Sequence, residues 1–262
     1  MMKLSKRLEA VASMVTSGGI LADVGTDHGY IPIYLLTQGR ISRAVAMDIG
    51  RGPLARAAEH IAQYGLQEYI ETRLSDGVAA LSPGEADSVV IAGMGGGLVI
   101  RILTEGEAVC RAAEELILQP QSELERVRCF LRTQGYVTQE ENMVREDGKY
   151  YPMLRVRSVD ASGCGGSAGE CAAGVRQEPE AALRRKLWDR YGRNLLEEGH
   201  PVLREYLRRE RMISEGILEN LRRQEPTEQI AERICEVEED LRQNGEAMAY
   251  DRTGKENAGP RN

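Results

Sequence analysis

The chain has 262 residues, of which 42% are hydrophobic, and a formal net charge of -7. This length and apolar content allow one large domain, or one domain with an appendage. The negative charge argues against a uniformly basic nucleic-acid binder. Because the chain has no apolar run of membrane length and no secretory leader pattern, we expect a cytoplasmic protein without membrane contact.

The five cysteines are scattered, with no Cys-x-x-Cys pair and no histidine close enough to complete a zinc site. We therefore expect free thiols and no bound metal. Cys164 and Cys171 are near each other, but they lie in a glycine-rich stretch where a disulfide would stabilise little.

Up to about Val159, short apolar runs alternate with segments of helical periodicity, which is typical of a parallel sheet covered by helices. The predicted strands are Ile20 to Val24, Ala44 to Asp48, Ile70 to Leu74, Ser88 to Ala92 and Glu115 to Gln119, with a closing hairpin around Tyr136 to Val144 and Tyr151 to Val156. Right-handed crossovers would order them as a doubly wound sheet. The predicted fold class is therefore α/β, with residues 1–157 as its domain.

A helical segment follows this domain. Residues 158–180 include a run of Gly, Ala and Ser without large apolar side chains, so we expect a flexible linker. Over residues 181–245, apolar side chains recur at helical spacing in two sets separated by Pro226, which predicts a coiled-coil-like helical hairpin. Residues 246–262 are expected to be disordered.

The charge is unevenly divided along the chain. Residues 182–223 hold eleven basic and seven acidic side chains, whereas ten acidic and five basic side chains follow from Glu225 onward. The basic segment is a candidate phosphate contact, although a solvated helix face would show the same composition.

The first predicted strand leads into the loop Ala22-Asp-Val-Gly-Thr-Asp-His-Gly-Tyr30. Gly25 lets the backbone turn and approach a ligand, and Gly29 would ease close packing of the following helix. The spacing is G-x-x-x-G rather than G-x-G-x-x-G, which disfavours a dinucleotide cofactor. A structural strand–helix turn would also fit this loop.

The second and third predicted strands also end in, or are followed by, acids. Asp48 can accept both hydroxyls of a ribose, because its two oxygens match the vicinal diol. Asp76, followed by Gly77, can accept an adenine amino group. Each acid could instead be a loop carboxylate or a helix cap, but acids at three consecutive strand ends favour a nucleoside site.

The fourth strand runs into Ile91-Ala-Gly-Met-Gly-Gly-Gly97, whose glycines leave backbone groups open at the sheet edge. This segment can line the methyl-donor end of a cofactor and a flat acceptor, or it can be merely a flexible loop. Leu118-Gln-Pro-Gln121 ends the fifth strand and supplies amides that can read a base edge.

Six ordered blocks over about residues 3 to 157 make the sequence similar to the bacterial TrmK family, tRNA methyltransferases that act on N1 of adenine 22. The blocks are ADVGTDHGYIPIYL, RAVAMDIGRGPL, SDGVAAL, VVIAGMGGGLVIRIL, ELILQPQ and REDGKYYPMLRV. The family has a class I, Rossmann-like methyltransferase domain and a C-terminal coiled-coil-like domain. The chain differs from the family pattern in having Ile49 after Asp48, Gln121 where Asn is usual, and a longer linker.

The resemblance implies S-adenosylmethionine as cofactor and tRNA as partner, and we expect a monomer. The implied cofactor-binding residues are Asp23, Gly25, Asp27, His28, Tyr30, Asp48, Gly52, Pro53, Asp76, Gly77, Ala92, Gly93, Met94 and Gly95. The candidate substrate contacts are Gly96, Gln119, Pro120, Tyr150, Arg185 and Arg208.

Methyl transfer to adenine N1 is an in-line displacement that needs no enzyme nucleophile, so positioning supplies most of the rate. Asp27 is the candidate catalytic residue, because it can accept the N6 hydrogens, orient N1 and stabilise the developing positive charge. His28 is either a cofactor contact or a structural residue. An exposed adenine would need an aromatic platform, for which the candidates are Tyr30, Tyr150 and Tyr151.

The basic side chains that can follow the tRNA backbone are Arg184, Arg185, Lys186, Arg190, Arg193, Arg204, Arg208, Arg209 and Arg211. Two alternatives stay open. A methyltransferase of the same fold that acts on a different RNA, a protein or a small molecule would keep the cofactor site without binding tRNA. A non-enzymatic binding protein would keep only the fold.

Overall fold

A computed structural model of the chain describes residues 2–159 and 179–253. These residues fall into two compact units, divided between Arg176 and Gln177. Most of the predicted linker, with Cys164 and Cys171, lies outside the described residues, and so does the end of the predicted tail.

The first unit is built on a seven-stranded sheet. Its strands are β1 (Ile20–Val24), β2 (Arg43–Asp48), β3 (Ile70–Leu74), β4 (Ser88–Met94), β5 (Glu115–Pro120), β6 (Tyr136–Glu146) and β7 (Lys149–Ser158). Their order is β3-β2-β1-β4-β5-β7-β6, with the first five parallel and β7 antiparallel to both neighbours. The predicted doubly wound α/β fold with a closing hairpin is therefore confirmed.

Six helices cover the two faces of this sheet. They are α1 (Lys6–Met14), α2 (Tyr30–Thr37), α3 (Arg51–Gln63), α4 (Gly96–Glu105), α5 (Glu107–Ala112) and α6 (Leu124–Thr133). Neighbouring residues of β4 enter different cores, since Val89 and Ile91 pack with α4 to α6 whereas Val90 packs with α1 to α3. The central strands are thus buried on both faces, which explains their continuous apolar runs.

The second unit is helical. It contains α7 (Pro179–Tyr191), α8 (Arg193–Glu197), α9 (Pro201–Arg222) and α10 (Glu228–Thr253). The two long helices α9 and α10 pack together, as the sequence predicts. The expected disorder from residue 246 is wrong for residues 246–253, because α10 continues to Thr253 and its Ala247 is buried.

Two further helices add to this unit. Helices α7 and α8 contribute the buried side chains Leu187, Tyr191, Leu195 and Leu196, so the packed unit is larger than a simple hairpin. The boundary between the sheet and the predicted linker also differs from expectation. The sequence predicts a linker from residue 158 onward, but β7 extends through Ser158. A strand partner explains the difference, since Ser158 pairs with Tyr136.

In the described ranges, no helix has both the length and the apolar character needed to cross a membrane. Cys110, Cys129 and Cys235 are free thiols.

Candidate active site

The carboxyl ends of the parallel strands meet at one edge of the sheet, and they carry most of the predicted site. The strand order reverses direction between β1 and β4, because the chain builds β2 and β3 on one side of β1 and then β4 and β5 on the other. Open α/β sheets bind ligands at such a reversal, outside the carboxyl ends of the strands. The loops after β1 and β4 are therefore the expected centre of the site.

Asp23 lies near the end of β1 and is only 6% exposed. Burial raises the pKa of its carboxyl to about 6; a hydrogen bond from Thr26 works against this rise, and the nearby charge of Asp48 adds to it. A buried acid with a raised pKa at a sheet edge is a mark of a functional site. A cationic ligand would favour its charged form.

The acids after β2 and β3 are held differently. The Asp48 carboxylate accepts a hydrogen bond from the Gly50 amide at 2.6 Å through Oδ1. The Asp76 carboxylate accepts hydrogen bonds from both Nη atoms of Arg101, at 2.8 and 3.2 Å. Both carboxylates have fixed orientations in this structure, and Asp76 remains exposed at the surface.

Asp27 lies in the loop between β1 and α2, where it is exposed. Its Oδ1 accepts hydrogen bonds from the Nε and Nη2 atoms of Arg56 on α3. Its Oδ2 lies 3.3 Å from His28 Nε2. The arginine fixes the carboxylate, while its remaining lone pairs can still accept hydrogen bonds from a ligand.

Three aromatic rings cluster beside Asp27. The His28 ring stacks on Tyr30, with centroids 5.0 Å apart, and lies 5.1 Å from His60 of α3. The Nδ1 atom of His60 lies 3.2 Å from the His28 carbonyl oxygen, whereas His28 Nδ1 is buried without a partner among the described residues. Since buried polar atoms are normally satisfied, this nitrogen is a candidate ligand contact.

Two glycines require the conformations they adopt. Gly25 has a φ of +77°, and a Cβ there would clash with the methyl of Met94, the last residue of β4. Gly77 has a φ of +59°, and its Cβ would lie 3.0 Å from Ile102. Gly29 also has a positive φ, +67°, but its neighbours would leave normal van der Waals space. Backbone conformation, rather than the expected close helix packing, therefore explains Gly29.

The remaining predicted cofactor residues form the edges of these loops. Gly52 and Pro53 lie in the first turn of α3, directly after Asp48 and its loop. Ala92 is half-buried in β4, and Gly93 is exposed with a φ of +81°. Gly95 is the N-cap of α4.

Three of the predicted substrate contacts are buried in the structure. Gly96 is buried, and its amide donates to Ser122 Oγ at 3.3 Å. Gln119 is fully buried, with its Oε1 accepting from Arg7 and its Nε2 donating to the Pro120 carbonyl. Pro120 is buried as well. Gln119 and Pro120 belong to β5, and Gly96 packs against the turn that follows β5. None of the three therefore lies on the surface of the site.

The other predicted substrate contacts lie elsewhere. Tyr150, at the start of β7, is half-buried and has the Arg145 guanidinium 5.7 Å from its ring centroid. Arg185 and Arg208 belong to the helical unit, on α7 and α9. Arg190, which was expected to follow tRNA, is instead bound to Glu210 and Asp240 within that unit.

The arginines that hold the site do not stand out in the sequence. Arg56 is 29 residues from Asp27, Arg101 is 25 from Asp76, and Arg7 is 112 from Gln119. Arg56 and His60 lie four positions apart on α3 and so share one helix face. That spacing could have indicated a polar face, but not which loop it contacts.

Comparison with known proteins agrees with this geometry. A family model described as "Methyltransferase domain" matches residues 4–154. The chain is 38% identical over 159 residues to the tRNA (adenine(22)-N(1))-methyltransferase of Bacillus subtilis, covering 61% of this chain and 67% of that protein.

Solved structures extend the similarity to the helical unit. The crystal structure of the B. subtilis m1A22 tRNA methyltransferase TrmK matches with a TM-score of 0.76 and 30% identity, covering 95% of this chain and all of that one. Streptococcus pneumoniae Sp1610, described as a candidate tRNA (m1A22) methyltransferase and solved with S-adenosyl-L-methionine, matches with a TM-score of 0.74 and 30% identity. That match covers 94% of this chain and all of the other.

Proposed function

Since the chain belongs to the TrmK family of tRNA (adenine-22, N1)-methyltransferases, we propose that it transfers a methyl group from S-adenosylmethionine to N1 of adenine 22 in tRNA. The observation that carries the proposal is the row of acids at the ends of three adjacent strands, Asp23, Asp48 and Asp76, next to the glycine loop after β4. Adjacent parallel strands place these carboxylates along one nucleoside-sized edge.

The residues present fit a cationic ribonucleoside. Asp48 would bind the ribose hydroxyls, and Asp76 the adenine amino group. Asp23 supplies a buried negative charge for the cationic end of the molecule, and His28 Nδ1 supplies a buried atom without a partner among the described residues. When bound, the cofactor provides an electrophilic methyl group on a sulfonium, while the protein binds and orients both reactants.

Asp27 is proposed as the catalytic residue. The acceptor nitrogen uses its own lone pair, and the product base carries a positive charge that a fixed carboxylate stabilises. Arg56 holds this carboxylate from one side, which keeps it oriented before the substrate arrives. The stacked rings of His28 and Tyr30 lie beside it and offer an aromatic surface to a base removed from its stack.

The helical unit is proposed to bind the tRNA backbone, and the reaction is proposed to take place in the cytoplasm. Arg185 and Arg208 support the first proposal, because neither forms an ion pair within the described ranges. Unpaired guanidinium groups are available to phosphate, which they can bind in a bidentate manner.

The proposal is tested by incubating the enzyme with S-adenosylmethionine carrying a labelled methyl group and an unmodified tRNA transcript, and then mapping the modified base by mass spectrometry. We expect N1-methyladenine at position 22 and no product from a transcript with guanine there. Asp27→Ala should lower kcat by about a hundredfold, as for removal of a group that stabilises transition-state charge.

Glu68→Ala is the matched control, because Glu68 is an exposed acid in the loop that precedes β3, at the opposite edge of the sheet. It should methylate at the wild-type rate. Cofactor binding without methylation of any tRNA by the wild-type enzyme would contradict the tRNA substrate and favour a different acceptor. Full activity of Asp27→Ala would exclude Asp27 from catalysis.

A further inference from the structure

The turn after β5 places an exposed glutamine at the acceptor side of the site. The Gln121 backbone amide donates to the Met94 carbonyl at 2.8 Å, which ties this residue to the end of β4. Its side-chain Nε2 lies 3.7 Å from the position that a Cβ would take on Gly93. Among the described residues, the Gln121 side chain forms no hydrogen bond, so both ends of its amide are available.

The position of Gln121 relative to the acids identifies its side of the site. The nucleoside-binding acids lie at the ends of β1, β2 and β3, on one side of the strand reversal. Gly93 near the end of β4 and Gln121 directly after β5 lie on the other side. The acceptor must approach the reactive end of the cofactor, which points away from the nucleoside. Gln121 therefore borders the space for the acceptor base.

The reaction limits how an enzyme can recognise its adenine. N1 must present a free lone pair to the methyl group, so no protein donor can occupy that atom. A glutamine amide can instead recognise adenine through N6 and N7, with its oxygen accepting from the amino group and its nitrogen donating to N7. This contact identifies the base while it leaves N1 open.

We infer that Gln121 is a specificity-determining residue that reads the N6 and N7 atoms of the acceptor adenine, an inference that rests on the proposed function. The amino group has two hydrogens, so Gln121 can bind the one beside N7 while Asp27 accepts the one beside N1. Arg7 is a positioning residue for this contact. Its Nη1 donates to Gln119 Oε1 at 2.8 Å and lies 3.6 Å from the Cβ position of Gly93, and its guanidinium lies 5.6 Å from the Tyr151 ring centroid.

The test uses tRNA assembled with either adenosine or 7-deazaadenosine at position 22. The analogue keeps N1 and the amino group but lacks N7. The wild-type enzyme should lose about tenfold in kcat/KM on the analogue, in the range expected for half of a bidentate base contact. Gln121→Ala should be about tenfold or more slower on adenosine and should lose nothing further on the analogue.

Three more variants sharpen the test. Gln121→Glu keeps the acceptor oxygen but removes the donor, so it should also become insensitive to the loss of N7. Gln67→Ala is the control, because Gln67 is an exposed glutamine in the loop before β3; it should keep the full discrimination of the wild type. Arg7→Met should raise KM for tRNA more than it lowers kcat and should reduce the discrimination against the analogue.

The possible failures are distinguishable. If the wild-type enzyme methylates adenine 22 but both it and Gln121→Ala lose the same factor on the analogue, N7 is read by another group and the inference is wrong. Equal wild-type rates on both tRNAs would also overturn it. No methylation of the adenosine tRNA by the wild type would overturn the proposed function itself.

Discussion

At the scale of single residues, arginines hold the polar groups of the site in place. Arg56 binds Asp27, Arg101 binds Asp76, and Arg7 binds Gln119. The side chains of Arg56 and Arg101 are nearly half exposed, at 47% and 43%, so solvent screens these ion pairs and they add little to stability. Their contribution is geometric, because a carboxylate that is already oriented loses less entropy when the ligand binds.

The buried carboxyl of Asp23 predicts a pH dependence of cofactor binding. Its pKa is raised to about 6 in the folded chain, mainly by burial. A cationic ligand binds the charged form better, so affinity for S-adenosylmethionine should rise as the pH increases from 5 to 7. Asp23→Asn should bind more weakly and lose most of this dependence. Isothermal titration calorimetry at several pH values would measure both effects.

The same residue links stability to pH with the opposite sign. Because the folded pKa of Asp23 exceeds the unfolded value, the stability that is present below pH 3.8 is lost as the pH rises from there through about 6. Asp23→Asn should therefore raise the free energy of unfolding at pH 8 by about 1–3 kcal/mol, with little gain at pH 4. Denaturant unfolding at the two pH values checks the sign. An equal effect at both would contradict the assignment.

At the scale of elements, the start of α4 depends on a close approach to the turn after β5. A Cβ on Gly96 would lie 2.5 Å from the Ser122 carbonyl oxygen, a backbone atom that cannot swing away. A Cβ on Gly97 would lie 3.1 Å from Glu123 Oε2, the end of a flexible side chain. These two adjacent glycines therefore form a matched pair.

We expect Gly96→Ala to destabilise the methyltransferase unit by about 1–3 kcal/mol, as overpacking usually does. Its thermal midpoint should fall by several degrees, and cofactor affinity should fall with it, because α4 follows the glycine loop directly. Gly97→Ala should be close to neutral, since alanine favours the helix by up to about 1 kcal/mol. Differential scanning fluorimetry with and without S-adenosylmethionine measures both variants. Equal midpoints for the pair would contradict the close approach.

The strands of the sheet can be predicted from the sequence, but the surroundings of some side chains cannot. Strands β1 and β4 were predictable because they are apolar runs that end in glycine loops. The observed bounds of β1 (Ile20–Val24) and β3 (Ile70–Leu74) match the predicted ones. The acids at the strand ends followed from the same pattern. The burial of Gln119 did not, because it depends on Arg7, a residue from the other end of the unit. Helix α7 was missed as a separate element because its apolar and charged residues are mixed around the helix and leave no clear apolar face.

At the scale of the whole molecule, most of the basic charge of the helical unit is neutralised locally. Arg193 pairs with Glu197, Arg211 with Glu215 and Arg223 with Glu219, each at helical spacing. Arg190 lies at the centre of a partly buried network with Glu210, Asp240 and Gln243, which fixes the packing of three helices. The local excess of basic residues is therefore a poor guide to which side chains are available to phosphate.

This distinction predicts different salt dependences for two arginines of α9. Arg208 is exposed and forms no ion pair in the described part of the chain, whereas Arg211 donates to Glu215 at 2.8 Å. Arg208→Ala should weaken tRNA binding and lower the slope of log Kd against log salt concentration by about one, as for one lost phosphate contact. Cofactor affinity should stay unchanged.

Arg211→Ala is the matched control, because it removes the same charge from a side chain already paired with a carboxylate. It should leave the salt slope within about 0.3 of the wild-type value, since no counterion is released where no phosphate is bound. Fluorescence anisotropy of labelled tRNA between 50 and about 200 mM salt covers the range in which such contacts change affinity. Equal slopes for wild type and Arg208→Ala would exclude Arg208 from the tRNA interface, and a larger change in Arg211→Ala would assign the phosphate contact to Arg211 instead.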